Sequence, residues 1–176
     1  MGSPNLNSLL ALLVQGRIRA ARPRGRRAPD QTRRTRKAVA ARKRRQSRLT
    51  DDEEPLEFST VVSEAAFRRA LGDTELGPAQ LAHVIELAQR PNITVHVLPY
   101  AAGLHPSMSG AFAVLTFDSG VAPPFGYQGH AIGGHVVDDQ NAVRGLMELW
   151  ELLRNQALSA DESLDWLSEL SGKTLE

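Results

Sequence analysis

The opposed charges of its two parts constrain the fold of this chain more than any other feature. Residues 1–49 carry 15 Lys and Arg against a single acid, Asp30, whereas residues 50–176 carry 6 against 19. The first part therefore has a net charge of +14 and the second of −13, although the whole chain stands at +1. A segment so charged, with no Phe, Trp or Tyr, buries too little apolar surface to offset its ordering entropy. The sequence predicts a basic arm over residues 1–49 and an acidic folded domain over residues 50–176.

Within the basic arm, Pro23 and Pro29 interrupt the first half, so we expect it to be largely disordered. Residues 32–49 contain neither Gly nor Pro and are expected to be partly helical. Arginine and lysine neutralise phosphate charges, so the arm is a candidate for binding DNA or another polyanion without reading its sequence. The candidate contacts are the clustered cations Arg33, Arg34, Arg36, Lys37, Arg42, Lys43, Arg44 and Arg45. Three alternatives stay open: a solvated tail, an arm that lies on its own acidic domain, and an organelle transit peptide.

Several classes of functional site are not expected, because the chain lacks the residues or the spacing that they require. The chain has no cysteine, which excludes disulfides, thiolate-bound metals and a thiol nucleophile, and is compatible with the expected cytoplasmic location. It has no Gly-x-x-x-x-Gly-Lys phosphate loop, no Gly-x-Ser-x-Gly elbow and no His-Glu-x-x-His metal motif. No apolar run approaches the ~18 residues of a membrane span. We therefore expect a non-catalytic protein with no metal, no cofactor and no membrane partner.

The apolar pattern from residue 50 onward predicts an α+β domain, with a small, mostly antiparallel sheet packed with helices. Predicted strands cover residues 56–62, 93–99, 110–117 and one or two irregular segments of 121–137. Predicted helices cover residues 63–71, 78–89 and 141–158. The run Ser159-Ala160-Asp161-Glu162 has the form of a capping box and opens a last helix that ends before Gly172.

The long loop from Tyr100 to Ser109 is the candidate recognition site, because it joins two apolar strands and contains shape-restricting Gly and Pro residues. Its candidate binding residues are Tyr100, Leu104, His105 and Met108. Together they offer an amphipathic surface suited to a small ligand or a peptide. The alternative is that the loop is a long connection packed over the core of its own domain.

Several segments, taken in order, resemble a known family. They are Arg45–Thr50, Ser63–Arg69, Glu86–Val95, Val97–Gly103 with the following His105-Pro106 and Gly110-Ala111-Phe112, and Ala157–Leu164. In this order and spacing they resemble the carboxy-terminal domain of unknown function carried by Xre-type helix-turn-helix transcription regulators of high-GC filamentous bacteria. The resemblance covers roughly residues 39–170.

The resemblance implies a regulatory domain that senses a ligand or docks a partner, and a small partner protein encoded nearby. Members of that family bind DNA through an amino-terminal helix-turn-helix, but only 49 residues, 15 of them Lys or Arg, precede the domain here. The resemblance therefore predicts a regulator that lacks its DNA-binding head, as a truncated or frame-disrupted gene would produce. Nonspecific nucleic-acid binding through the arginine-rich arm is the alternative function.

Overall fold

The computed structural model describes residue 44 and residues 46–72, 77–117, 121–130 and 133–172. These ranges contain four helices, a parallel strand pair and a three-stranded antiparallel sheet, and this mixture confirms the predicted α+β class. In chain order from residue 58 they are β1 (Phe58–Ser63), α1 (Glu64–Leu71), α2 (Gly77–Ala88), β2 (Ile93–Leu98), two 3-10 turns (Tyr100–Ala102 and Pro106–Ser109), β3 (Phe112–Leu115), β4 (Phe125–His130), β5 (Gly133–Val137), α3 (Gln140–Gln156) and α4 (Ala160–Gly172). Among the described residues, no helix is long and apolar enough to cross a membrane.

Strands β1 and β2 form a parallel pair in which Phe58 is opposite Ile93 and Ser63 is opposite Leu98. Parallel neighbours need a long crossover, and α1 and α2 provide it. One face of the pair is packed against α1, α2 and α4. The buried apolar residues of this main core include Phe58, Val62, Phe67, Leu81, Val84, Leu87, Ile93, Val95, Val97, Leu167 and Leu170. Ile93, Val95 and Val97 alternate along β2 with their side chains in this core, which confirms the strand predicted over residues 93–99.

The main core begins before β1, at Leu49, which is only 1% exposed. The buried side-chain amide of Asn92 donates to the backbone carbonyls of Leu49 and Leu56, at 3.1 Å and 2.8 Å. These bonds fasten the segment ahead of β1 to the start of β2. Core packing therefore reaches the last residue of the predicted basic arm, while the boundary between arm and domain stays a prediction.

Strands β3, β4 and β5 form an antiparallel meander, in the order β3-β4-β5. Helix α3 packs against β3 and β4 and also reaches β2, so it joins the two sheets. Its buried residues Val143, Leu146 and Leu153 belong to this half of the molecule. At Gly126 in β4, a Cβ atom would collide with the Cδ1 of Leu146, so glycine permits the close approach of α3. The meander is the predicted antiparallel sheet, and the parallel pair is a feature that the sequence analysis did not specify.

Candidate functional site

A pocket of about 460 Å³ lies where the parallel pair, strand β3 and helix α3 meet. Its apolar lining combines aromatic and aliphatic side chains from all three parts of the fold. These are Phe58 of β1, Phe112, Ala113 and Val114 of β3, and Met147 and Trp150 of α3. Trp150 is half-buried and borders the pocket.

The polar lining of the pocket consists of hydroxyl and carboxylate groups. Ser59 and Thr94 are register partners in the parallel pair, on the face opposite to the main core. Thr116 follows β3, and the carboxylates are those of Glu57, just before β1, and Glu151 in α3. Glu57, Ser59, Thr116 and Glu151 are exposed, so they form a solvent-accessible rim around the apolar residues. No Lys, Arg, His or Cys lines the pocket.

The pocket exists because the two sheets do not pair with each other. Strand β3 is an edge strand bonded to β4, and β1 is bonded to β2, so hydrogen bonds do not close the space between them. On the second face of the parallel pair, small polar side chains such as Ser59 and Thr94 leave that space unfilled. Helix α3 bridges the sheets without filling the gap. The result is a cavity between two separately packed halves.

The two rim carboxylates have different surroundings. The guanidinium of Arg154, one turn along α3, contacts Oε2 of Glu151 through Nη2 at 2.6 Å and through Nε at 3.1 Å. Arg154 itself does not line the pocket. Glu57 is exposed, and among the described residues no cation forms an ion pair with it. Glu57 therefore contributes a negative charge at the rim that no described cation neutralises.

The loop predicted as the recognition site lies elsewhere and does not line this pocket. Tyr100, Leu104 and Met108 are 62%, 84% and 65% exposed, and His105 is half-buried. The Nδ1 atom of His105 is 2.7 Å from the Oγ of Ser107, a local hydrogen bond between residues two apart. Three of the four residues are thus exposed, and the exposed side chains are partly apolar. That they bind a ligand or peptide stays a prediction.

The start of that loop is fastened to helix α1 through Glu64. The Oε2 atom of Glu64 accepts a hydrogen bond from the backbone N–H of Tyr100 at 2.9 Å, and Oε1 accepts from Nε of Arg68 at 2.7 Å. Burial acts to raise the pKa of Glu64, but the hydrogen bonds from Tyr100 and Arg68, with the charge of Arg68, outweigh it and lower the pKa. The guanidinium of Arg68 also lies 5.8 Å from the ring centroid of Trp166.

Of the predicted polyanion-binding residues, Arg44 is described and is exposed. The remaining candidates lie outside the described residues: Arg33, Arg34, Arg36, Lys37, Arg42, Lys43 and Arg45. Their role in binding DNA or another polyanion stays a prediction.

Two histidines outside the loop have a polar partner, which is distant in sequence for His96 and close for His83. Nδ1 of His96 lies 2.9 Å from the carbonyl oxygen of Leu158, and Nδ1 of His83 lies 3.5 Å from a carboxylate oxygen of Glu86. Within the part of the chain that the structure describes, no group of three or more His, Cys, Asp or Glu residues could hold a metal ion. The chemistry that the pocket itself offers is apolar contact, hydrogen bonding by hydroxyls, and the negative charge of two carboxylates.

Sequence reasoning did not identify the pocket. Trp150 lies on the apolar stripe of its helix with Val143, Leu146 and Leu153, and such a stripe is typical of a helix that faces a core. A stripe of this kind does not distinguish a tryptophan inside a core from one that borders a cavity, because both face the sheets. Glu57 and Glu151 are ordinary surface acids in the sequence, and only the fold brings them to one rim.

Comparison with known proteins links the chain to a family. A family model described as "Domain of unknown function (DUF5753)" matches residues 17–169. No curated protein and no solved structure matches the chain. The matched range contains every residue that lines the pocket, as well as the loop of residues 100–109, and it extends into the predicted basic arm.

Proposed function

Because the chain belongs to the DUF5753 family of domains of unknown function, we propose a regulatory role for it: its folded part is the ligand-binding domain of an Xre-type transcription regulator. The ligand site of this proposal is the pocket between the two sheets. The resemblance of five ordered segments to the carboxy-terminal domains of such regulators supports the regulatory context. The observation that carries the ligand site is the pocket itself.

The size and lining of the pocket are those of a small-molecule site. Such sites commonly measure about 300–1,000 Å³ and have mostly apolar walls with a few polar groups that fix orientation. The volume of about 460 Å³ falls in this range, and five polar side chains accompany the apolar lining. A position between two packed units is also typical, because the units leave a cleft where they meet.

A regulatory domain also needs a path from its ligand to an outer surface. Helix α3 borders the pocket with Met147 and Trp150 and contacts the 3-10 turn Pro106–Ser109 of the exposed loop. In this proposal a bound ligand shifts α3 and thereby changes how the loop presents Leu104 and Met108 to a partner. The partner is the small protein that the family resemblance implies.

The ligand site is tested with the uncharged dye N-phenyl-1-naphthylamine, whose emission rises in apolar surroundings. We expect saturable binding of one dye per chain, weakened at least about tenfold (roughly 1.4 kcal/mol) by Val114→Trp, which fills the pocket. Val136→Trp is the matched control, because Val136 lies on β5, is 60% exposed and does not line the pocket. Equal binding by both variants would show that the dye binds elsewhere.

The charge of the basic arm favours a second candidate function, the binding of nucleic acid without sequence preference. Residues 1–49 carry 15 cations and one acid. Such binding releases counterions from the nucleic acid, so the logarithm of the binding constant falls linearly with the logarithm of the salt concentration. We expect random-sequence duplex DNA to bind the full chain with this dependence. Replacing Arg33, Arg34, Arg36 and Lys37 by Gln should make the slope shallower, and an unchanged slope would exclude these residues.

A further inference from the structure

We propose that the pocket selects an organic cation, an amphipathic amine or guanidine. The apolar part of this ligand contacts Trp150 and Phe112, and its positive group lies at the rim near Glu57 and Glu151. The inference rests on the proposed function, since it specifies the chemical class of ligand for the same pocket.

The charges of the lining carry the first step of the argument. The two charged side chains that line the pocket are both carboxylates, and no cationic side chain lines it. Arg154 pairs with Glu151 from outside the lining, whereas Glu57 has no ion-pair partner among the described residues. All lining residues belong to residues 50–176, whose net charge of −13 favours a cationic ligand over an anionic one. A ligand carboxylate or phosphate would therefore enter against like charge, and a cation would be attracted.

The aromatic side chains carry the second step. The faces of Trp and Phe rings attract cations within about 6 Å of the ring centroid, and Trp does so most strongly. Trp150, Phe112 and Phe58 line the same pocket that the carboxylates border. An aromatic wall beside a carboxylate is suited to a positive group attached to an apolar body, because both parts of such a ligand find contacts.

The hydroxyl groups carry the third step. Ser59, Thr94 and Thr116 each bring an oxygen that can accept an N–H bond from an ammonium or guanidinium group. Ser59 and Thr94 are opposite each other across the parallel pair, so their oxygens lie on neighbouring strands. A primary ammonium has three N–H donors, which these oxygens and a carboxylate can satisfy together.

The inference is tested with three probes of equal carbon skeleton: 4-phenylbutylamine, 4-phenylbutan-1-ol and 4-phenylbutyrate. The protein is the full chain with Trp166→Phe, which leaves Trp150 as the single tryptophan of a chain that has two. Titration of its emission at about 50 mM salt, where screening is moderate, gives three dissociation constants, which calorimetry checks independently. We expect the amine to bind at least about tenfold more tightly than the alcohol, and the alcohol more tightly than the carboxylate.

The matched variants are Glu57→Gln and Glu148→Gln. Glu148 is an exposed residue of α3 that does not line the pocket. We expect Glu57→Gln to weaken binding of the amine until its affinity is close to that of the alcohol, while the affinity for the alcohol stays unchanged. Glu148→Gln should change neither affinity. Unchanged affinity for the alcohol also shows that the variant is folded.

Equal affinity for amine and alcohol, or tighter binding of the carboxylate, would overturn the cation selectivity and leave the pocket as a ligand site of another class. If none of the three probes changes the emission of Trp150, the cation proposal is wrong. The dye experiment then shows whether the pocket binds an apolar ligand at all, as the proposed function requires.

Discussion

The hydroxyl of Ser163 in α4 accepts a hydrogen bond from the backbone N–H of Val97 in β2, with Oγ and N 2.9 Å apart. Both residues are fully buried. The carbonyl of Val97 in turn accepts from the N–H of Leu158, at 2.9 Å. Strand β2 is hydrogen-bonded to β1 along its other edge. At the edge that β1 leaves free, Leu158 and Ser163 therefore supply hydrogen-bond partners for the backbone of Val97. This edge is one of the places where the last helix is held against the main core, beside the packing of Leu167 and Leu170.

We expect Ser163→Ala to lower the free energy of unfolding by about 1–3 kcal/mol, because it leaves the buried N–H of Val97 without an acceptor. Urea denaturation measures the change. Ser168→Ala is the control: its hydroxyl bonds the carbonyl of Leu164 on an exposed face of the same helix, so it should cost much less. Similar losses for both variants would mean that the Val97 bond contributes little.

Asn92 gives a second test of the buried polar contacts. We expect Asn92→Ala to cost about 2–3 kcal/mol in unfolding free energy, because two buried carbonyls, of Leu49 and Leu56, lose their donor. Asn92→Asp keeps the shape but turns a carboxylate towards those carbonyls, so it should be worse than Asn92→Ala at pH 7. At pH 3 a protonated Asp can donate a hydrogen bond. The difference in unfolding free energy between the two variants should therefore shrink or change sign. An Asp variant as stable as the wild type at pH 7 would contradict this account.

Two glycines are expected to respond oppositely to alanine. At Gly77, at the start of α2, a Cβ would lie 2.5 Å from the carbonyl oxygen of Ala70 and 2.7 Å from the Cα of Leu71, both backbone atoms that cannot move aside alone. At Gly145, within α3, a Cβ would meet nothing within 4 Å. Gly145→Ala should therefore stabilise the protein by up to about 1 kcal/mol through helix propensity, whereas Gly77→Ala should destabilise it. Thermal unfolding of the two variants measures both, and a stabilised Gly77→Ala would disprove the close contact of α1 and α2.

Glu64 makes part of the stability dependent on pH. Its pKa in the folded protein lies below its ordinary value of 4.5, so the ionised form stabilises the fold above that value. This contribution is lost as the pH falls through 4.5 towards the lowered pKa. We expect Glu64→Gln to be less stable than the wild type by about 1–3 kcal/mol at pH 7, and the gap to shrink as the pH falls from 5 to 3. Urea denaturation at several pH values measures the gap, with Glu148→Gln as an exposed control. A constant gap would mean that the ionisation of Glu64 is not involved.

The elements with a local signal in the sequence were predicted closely. The strand predicted over residues 93–99 corresponds to β2, and the predicted capping box marks the start of α4. In the structure the carboxylate of Glu162 accepts from the N–H and the hydroxyl of Ser159, at 2.9 Å and 2.7 Å, which confirms that box. The strand predicted over residues 110–117 is shorter, at Phe112–Leu115, because pairing with β4 rather than apolar composition sets its length.

The pairing of β1 with β2 and the pocket could not be predicted in the same way. Each depends on where separate elements meet: Glu57, Thr94, Phe112 and Trp150 are far apart in sequence and share one cavity. No periodicity within one helix or strand encodes such a meeting, since it follows from how the two packed halves are arranged. The exposed loop was predicted as the recognition site because its Gly and Pro residues give it an unusual local composition. The residues of the pocket have ordinary local patterns and gave no such signal.

The parallel pair also bears on how the chain folds. Phe58 and Ile93 are partners across 35 positions of sequence, so their contact closes a long loop, whereas β4 and β5 are joined by two residues and can pair early. The cavity that the two sheets enclose can form only after the slower, non-local pairing is complete. A compound that occupies it therefore binds the native state and not its precursors. Such a compound should slow unfolding while leaving the rate of refolding unchanged, and it would lengthen the lifetime of the folded protein wherever the compound is abundant.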